Sequence, residues 1–330
     1  MNPNSGGGST GKNWINLYNQ IKETFGENPH VVFSHKSGDG TTQTRDFLKK
    51  GFKQIVVVGG DGTVNEVANG FFEEIRDTTS TPTFHMVGET LTDKHRELLP
   101  ALRPVNPGAM MGLLPAGSRN VLAKSLDLPG GIVECCRRFI EAKPQKIDVI
   151  SALITATPSS SGNGNPKDIR TRIFLNAAEL GVGAEIIERS KKIRNKVKSR
   201  IVSTISSVIT TLPTYESKLC DISIDDGRQT LLSNMTMGVV ANGQYLGGGF
   251  KVAPRANISD GLLDITILKD SGSFKMLDRF ANMKGESDHT QKKTSDIFYT
   301  QAKKISIKSK EKNITVTIDG EPKRVSARII

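Results

Sequence analysis

The chain has 330 residues, 36% of them hydrophobic and 24% charged, with lysine and arginine exceeding acids by eleven. That length argues for two cores rather than one, and the composition excludes a disordered or fibrous protein. The longest apolar runs, Ile55 to Val58 and Ile201 to Leu212, are too short or too interrupted to cross about 30 Å of hydrocarbon, while the positive excess calls for nucleic acid, an anionic membrane or a phosphorylated substrate as partner.

Met1 to Lys12 is rich in Gly and Ser and lacks the apolar centre of a secretory signal, so a cytoplasmic protein is expected. Trp14 to Gly51 reads as helix, strand, turn and helix, with Val31 to Phe33 the strand and Thr42 to Lys50 the second helix. Gln54 to Val58 is a β-branched strand ending in Gly59-Gly60-Asp61-Gly62-Thr63, after which Val64, Val67, Ala68, Phe71 and Phe72 recur at helical spacing. Asp77 to Ala109, with Thr-rich, Pro-rich and charged stretches, reads as a surface insertion. Strand Gly112 to Leu114 leads into Pro115 to Asn120 and a helix through Leu126, and this alternation implies a parallel sheet covered by helices. Cys135, Cys136 and Cys220 suit a reducing compartment. The adjacent pair disfavours a disulfide, no spacing suggests zinc, and buried free thiols are expected.

Beyond Pro144 the pattern changes to strands at Lys146 to Leu153, Thr171 to Ala177, Leu219 to Ile224, Met235 to Ala241, Leu262 to Leu268, Lys304 to Ile307 and Ile314 to Ile318. This predicts a mainly antiparallel β domain. Ser159 to Asn165 is a polar loop without evident chemistry.

Several motifs could carry chemistry. Gly59 to Thr63 stands where a strand gives way to a helix, so backbone N–H groups and the helix amino end could hold phosphate. Asp61 would repel a nucleotide unless it contacts magnesium or acts as a base near the γ-phosphate; a plain Gly-Asp-Gly turn is the alternative. Asn2-Pro3-Asn4-Ser5-Gly6-Gly7-Gly8 is a second candidate phosphate loop or a flexible terminus. Gly6 to Lys12 also begins a P-loop signature, but Asn13 stands where Ser or Thr is needed. Asp319-Gly320-Glu321 is either a hairpin tip or a catalytic base, and Asn257 to Leu263 either a turn or a site for a structural cation. Arg189 to Arg200 is basic, with Ile193, Val197, Ile201, Ile205, Val208, Ile209 and Leu212 at helical spacing. That is an amphipathic helix for an anionic bilayer, or a solvated face over a packed stripe. No aromatics interleave with the basic run, so nucleic acid is not the expected partner.

In their order along the chain these motifs resemble the diacylglycerol kinase catalytic-domain family, which includes sphingosine and ceramide kinases and soluble bacterial lipid kinases. The resemblance rests on Asn2 to Gly6, Ser34 to Thr41, Gly59 to Thr63 with Asn65-Glu66, Pro115 to Asn120, Asn257 to Asp264, Gly285-Glu286 and Asp319 to Glu321. It implies a phosphofructokinase-like α/β nucleotide-binding domain with a parallel sheet over residues 1–143. A mainly antiparallel β-sandwich lipid domain would follow over 144–322, with a tail, 323–330, returning to the first domain and ATP between the domains.

Carried over by position, Asn2, Pro3, Asn4, Ser5, Gly6, Ser34, Gly59, Gly60, Asp61, Gly62, Thr63, Asn65, Glu66, Gly117, Ser118 and Asn120 would form the ATP site. Asp61 would organise catalytic Mg2+, Asp319 with Glu321 would supply the base, and Asn257, Asp260 and Leu262 would hold a structural Mg2+. Arg189, Lys191, Lys192, Arg194, Lys196, Lys198 and Arg200 would face anionic headgroups, giving peripheral membrane association. A homodimer is the oligomeric expectation.

In the family a strand precedes the Asn-Pro-x-Ser-Gly loop, whereas here the loop begins at residue 2, so either a segment lies upstream or the sheet edge is reorganised. The usual Gly-Thr-x-Asn-Asp loop reads Gly117-Ser118-Arg119-Asn120-Val121, without the acid. A soluble-substrate kinase of the NAD kinase type and a non-catalytic lipid-binding relative are the competing readings.

Overall fold

Residues 1–75, 101–155, 169–194, 206–208, 210–247, 250–272, 295–310, 314–325 and 328–329 are described in the computed structural model of the chain. They form two units, one within Met1–Thr79 and Pro100–Ile147, the other from Asp148 to Ile330. The divide falls after Ile147, and Asp148 bonds within the second unit: its N–H donates to Ile258 O at 2.8 Å and its Oδ2 accepts Gly261 N–H at 2.7 Å.

The first unit contains α1 (Ser9–Lys12), α2 (Trp14–Phe25), α3 (Asp39–Lys49), β1 (Gln54–Gly59), α4 (Asp61–Gly70), β2 (Phe72–Ile75), β3 (Ala101–Pro104), β4 (Met110–Pro115), α5 (Val121–Ser125) and α6 (Ile132–Glu141). Strands β1 and β4 pair in parallel from Gln54↔Met110 to Gly59↔Pro115. Val31 to Phe33 is extended but forms no regular strand, and Met1 and Asn2 stand beside it. The Met1 ammonium donates to Val32 O, Ser34 N–H to Met1 O, and Asn2 N–H to Val58 O. Those bonds follow the parallel ladder pattern and place Met1–Asn2 between the extended segment and β1.

Ile21 of α2 packs with Val58, Leu114, Cys135 and Cys136, so one turn of α2 and one of α6 cover the same face of the sheet. All three cysteines are free and buried, and desolvation lifts the Cys136 thiol to about 11. Helices α3 and α4 cross closely where Gly70 faces Thr44; a Cβ on Gly70 would lie 2.6 Å from the Thr44 Cβ. The insertion starts and ends as a hairpin stem, with β2 and β3 antiparallel from Phe72↔Pro104 to Ile75↔Ala101; residues 76–100 lie outside the described ones.

The second unit contains β5 (Ile150–Thr155), β6 (Ile169–Phe174), β7 (Ala177–Gly181), α7 (Val182–Arg194), β8 (Lys218–Ile224), β9 (Gln229–Ala241), β10 (Tyr245–Leu246), β11 (Phe250–Lys251) and β12 (Leu263–Lys269). It continues with β13 (Ile297–Ala302), β14 (Ile305–Ser309), β15 (Ile314–Ile318), β16 (Glu321–Val325) and β17 (Arg328–Ile329). Every strand pair described in it is antiparallel. Strand β9 organises the sheet: residues 229–235 pair with β8, and residues 237–241 with β7, while β12 runs along its other edge.

A period of two would put Met235 and Met237 on one face. The register shift opposite Leu268/Lys269 instead sends them to different cores, Met235 with Leu180, Ile222 and Ile265, Met237 with Val182, Ile186 and Val239 beneath α7.

Three features absent from the sequence expectation have local causes. The strand expected over Thr171 to Ala177 breaks between β6 and β7, because the amides of Leu175, Asn176 and Ala177 donate to the Asp319 carboxylate. In the tail, Arg328 and Ile329 pair with Lys308 and Ile307 of β14, where an open strand edge offers main-chain partners. Strands β13 and β16 were not anticipated; β13 covers the edge of β12 and β16 that of β15. The Ser159 to Asn165 loop and Gly285-Glu286 lie outside the described residues.

Candidate active site

Three loops of the first unit meet. Asn2 Nδ2 donates to Thr63 Oγ1 at 2.9 Å, Ser5 Oγ lies 3.4 Å from the same oxygen, and Gly60 N–H donates to Ser5 Oγ at 3.3 Å. Thr10 Oγ1 donates to Ala116 O at 2.8 Å, joining the first loop to the third. Gly6, Gly7 and Gly8 all have positive φ, a curl that side-chain-bearing residues resist, and the amides of Asn4, Ser5 and Gly8 donate to Asn2 Oδ1, Asn2 O and Asn4 O within the loop. The second and third loops touch glycine to glycine, and a Cβ on Gly117 would lie 2.2 Å from Gly60 Cα. Because that obstruction is backbone, Gly117→Ala is expected to cost about 3 kcal/mol, read as a lower urea midpoint. Asn120, at φ 50, closes the third loop: its Oδ1 accepts Gly117 N–H and its Nδ2 donates to Gly117 O.

Asp61 fastens the second loop to the helix after the third. Its Oδ1 accepts Val121 N–H at 2.6 Å and Leu122 N–H at 3.3 Å, the first amides of α5. Burial raises its pKa above the ordinary 3.8, and the two α5 amides and Arg119 oppose that shift without cancelling it. Val121, at the position of the missing acid, is buried; a carboxylate there would have been a second desolvated negative charge beside Asp61.

Glu66 bonds to the chain around the start of α3. Its Oε1 accepts Gly38 N–H at 2.8 Å and Ser37 Oγ–H at 3.2 Å, and its Oε2 accepts Gly40 N–H at 3.1 Å, so it caps the start of α3. Glu66→Ala should therefore lower stability by about 1–2 kcal/mol, measured by thermal melting, and loosen the segment after Ser34. Ser34 is buried with its N–H on Met1 O. Asn65 is buried and accepts Asn69 Nδ2 through both its main-chain O and its Oδ1.

In the second unit, Asp319 and Gly320 are the two central residues of the β15–β16 hairpin, at φ 45 and 79, a type I′ arrangement. Asp319 Oδ2 accepts Leu175 N–H at 3.1 Å, and its Oδ1 accepts those of Asn176 and Ala177 at 3.0 and 3.1 Å. Both oxygens thus hold backbone. Glu321 starts β16 opposite Ile318. Asn257 to Leu262 forms a tight turn: Asn257 Oδ1 accepts Ser259 N–H, Asp260 Oδ1 accepts Leu262 N–H, and Gly261 sits at φ 73.

The oxygen donors of this turn suit magnesium by type. In the first unit Asp61 is the acid where the three loops meet, and among the described residues no three His, Cys, Asp or Glu side chains gather. Magnesium held through a carboxylate and substrate phosphates needs no such group.

The basic helix begins earlier than its charge pattern, at Val182, and buries Val182, Ala184, Ile186 and Ile187. Arg189 and Lys192 are exposed on it, and Arg189 Nη1 donates to Thr210 O at 2.9 Å. The side chains of Lys191 and Arg194, and residues Lys196, Lys198 and Arg200 entirely, lie outside the described ones. Among the described residues no helix is long and apolar enough to cross a membrane. Sequence reasoning missed Asp148, Asn176 and Asn242, whose only local signal is the Asn242-Gly243 turn pair.

Two family models match the chain in tandem: the diacylglycerol kinase catalytic domain over residues 1–152 and the YegS C-terminal NAD kinase beta sandwich-like domain over 176–327. A Chromohalobacter salexigens protein named "Probable lipid kinase YegS-like" is 24% identical over 296 residues, 88% of this chain and 77% of that one. A Bacillus subtilis "Diacylglycerol kinase" is 23% identical over 310 residues, 92% and 83% of the two chains. A crystal structure of a diacylglycerol kinase from Bacillus anthracis superposes with a TM-score of 0.60 at 21% identity, covering 99% of this chain and 90% of that one.

Proposed function

The chain belongs to the diacylglycerol kinase catalytic-domain family and is a kinase by that membership, and on that premise we propose that it transfers the γ-phosphate of ATP to a hydroxyl of a membrane lipid of the diacylglycerol or sphingoid-base type. The observation that carries this reading is the junction of Asn2–Gly8, Gly59–Thr63 and Ala116–Asn120, packed down to glycine contact at the amino end of α4. Backbone N–H groups there offer fixed positive dipoles to phosphate oxygens. Asp61, held by α5, keeps a carboxylate at the loops where a magnesium ion would need it. Magnesium, when bound, screens the charge on the transferring group. Glu321 takes the proton of the acceptor hydroxyl as that oxygen attacks phosphorus in line, and Asp319 keeps the turn rigid beneath it.

Arg189 and Lys192 support docking on an anionic surface, each basic residue near it contributing about 1 kcal/mol. The test is transfer of labelled γ-phosphate to a mixed-lipid panel in anionic micelles, with flotation on anionic liposomes alongside. Label in one lipid class with flotation is expected; label in NAD alone, from protein that stays unbound, would overturn the reading in favour of a soluble-substrate kinase.

A further inference from the structure

The Asp319–Gly320 turn is held by more than its own hairpin. Its carboxylate is seated on the amides of Leu175, Asn176 and Ala177, so the placement of that segment sets the placement of the turn. Asn242 holds the segment in turn. Its side chain is 1% exposed, and its Nδ2 donates to Leu175 O at 2.8 Å and to Asp148 O at 3.2 Å. Two carbonyl acceptors decide which end of the amide is nitrogen, since an oxygen there would face only lone pairs. The N–H groups of Asn242 and Gly243 both donate to Asn176 O, at 2.8 and 3.0 Å. Asp148 extends the chain of bonds to the Asn257–Leu262 turn through Ile258 O and Gly261 N–H. The remaining atom of the amide, Oδ1, is buried without a hydrogen-bond partner. A buried acceptor left open costs stability, and a residue kept in spite of that cost is a candidate for function.

We propose that Asn242 is a positioning residue for phosphoryl transfer. It locks the Leu175–Ala177 segment to Asp148, and so fixes, through Asp319, the turn from which Glu321 projects its strand. Its kinetic consequence rests on the lipid kinase reading above; its structural consequence rests on the hydrogen bonds alone.

The experiment compares Asn242→Ala and Asn242→Asp with Thr236→Val. The last removes a part-buried hydroxyl pair, Thr236 with Ser217 at 2.7 Å, on the strand that leads into Asn242 but outside this chain of bonds. If Asn242→Ala does not fold, Asn242→Ser, which retains one donor, replaces it. Both Asn242 variants should lower kcat for lipid phosphorylation about 10- to 100-fold with the KM for ATP nearly unchanged, and should speed amide exchange at Leu175, Asn176 and Ala177. Thr236→Val, at a similar loss of melting temperature, should do neither. Asn242→Asp should regain part of its kcat relative to Asn242→Ala as the pH is lowered, because a protonated carboxyl can donate to one of the two carbonyls.

A kcat that falls only in step with melting temperature, or unchanged exchange at the three amides, overturns the proposal. Should the wild type phosphorylate no lipid, the functional reading falls by itself, and the exchange data alone decide: protection lost in the Asn242 variants and kept in Thr236→Val upholds the lock, and protection kept in all of them ends it.

Discussion

Asp61→Asn is expected to melt at a higher temperature than the wild type near neutral pH while losing at least about a hundredfold in phosphoryl transfer. Burial raises the folded-state pKa of Asp61, so ionising it costs folding free energy. Below the ordinary value of 3.8 the carboxyl is protonated in both states and the cost is absent. It accumulates as pH rises from there through the raised folded pKa, and above that it stays at full size. Asparagine keeps an oxygen for the Val121 and Leu122 amides but carries no charge, so its advantage should vanish in acid and level off above the raised folded pKa. Asp61→Ala separates the two contributions. It removes the acceptor as well, leaves two α5 amides buried and unpaired, and should cost about 1–3 kcal/mol relative to asparagine. Thermal melting of the three proteins between pH 4 and 8, with ATP turnover beside it, checks both halves. An Asp61→Asn protein that melts lower at pH 8 would show that the α5 amides, not burial, dominate this site.

Glu321→Gln should lower kcat about 10²- to 10⁴-fold with little change in stability or in ATP binding. Asp319→Asn should behave in the opposite way. Both oxygens of Asp319 accept backbone N–H groups, which seat the turn. Asparagine tolerates φ 45 and supplies one oxygen in place of two. The expected loss is therefore about 1–3 kcal/mol of stability, with kcat of the folded protein lowered only about tenfold, the lower end of the range expected for the Asn242 variants, because one oxygen of the seat remains. Single-turnover transfer measured below the melting transition distinguishes the two acids. Equal loss of kcat in both would make Asp319 the base, or one of a pair.

Much of the site was legible because its signals are local. A β-branched run followed by Gly59 to Thr63 and a helical period needs only near neighbours to become strand, loop and helix, and β1 and α4 follow it closely. The Asp319-Gly320 pair likewise reads as a two-residue hairpin tip because both central residues need positive φ. The change after Pro144 from helical to alternating pattern announced a second core, since a period of two buries one face of a sheet.

What the motifs could not reveal is which atoms their polar side chains would meet. Asp61 and Glu66 both lie in the stretch that suggested nucleotide contact. Asp61 takes amides 60 and 61 residues away, and Glu66 takes donors 26 to 29 residues back. The Asp319 seat spans 142 to 144 residues, and Asn242 reaches Leu175 and Asp148 across 67 and 94. Period, propensity and turn chemistry act over a few residues, so the chain alone determined most of its elements, its two cores and the glycines of its three meeting loops. Only the tertiary structure decided the partners of its buried polar groups, the face to which the β9 bulge sends Met235, and the return of the tail to β14, because each depends on strands and loops that only folding brings side by side.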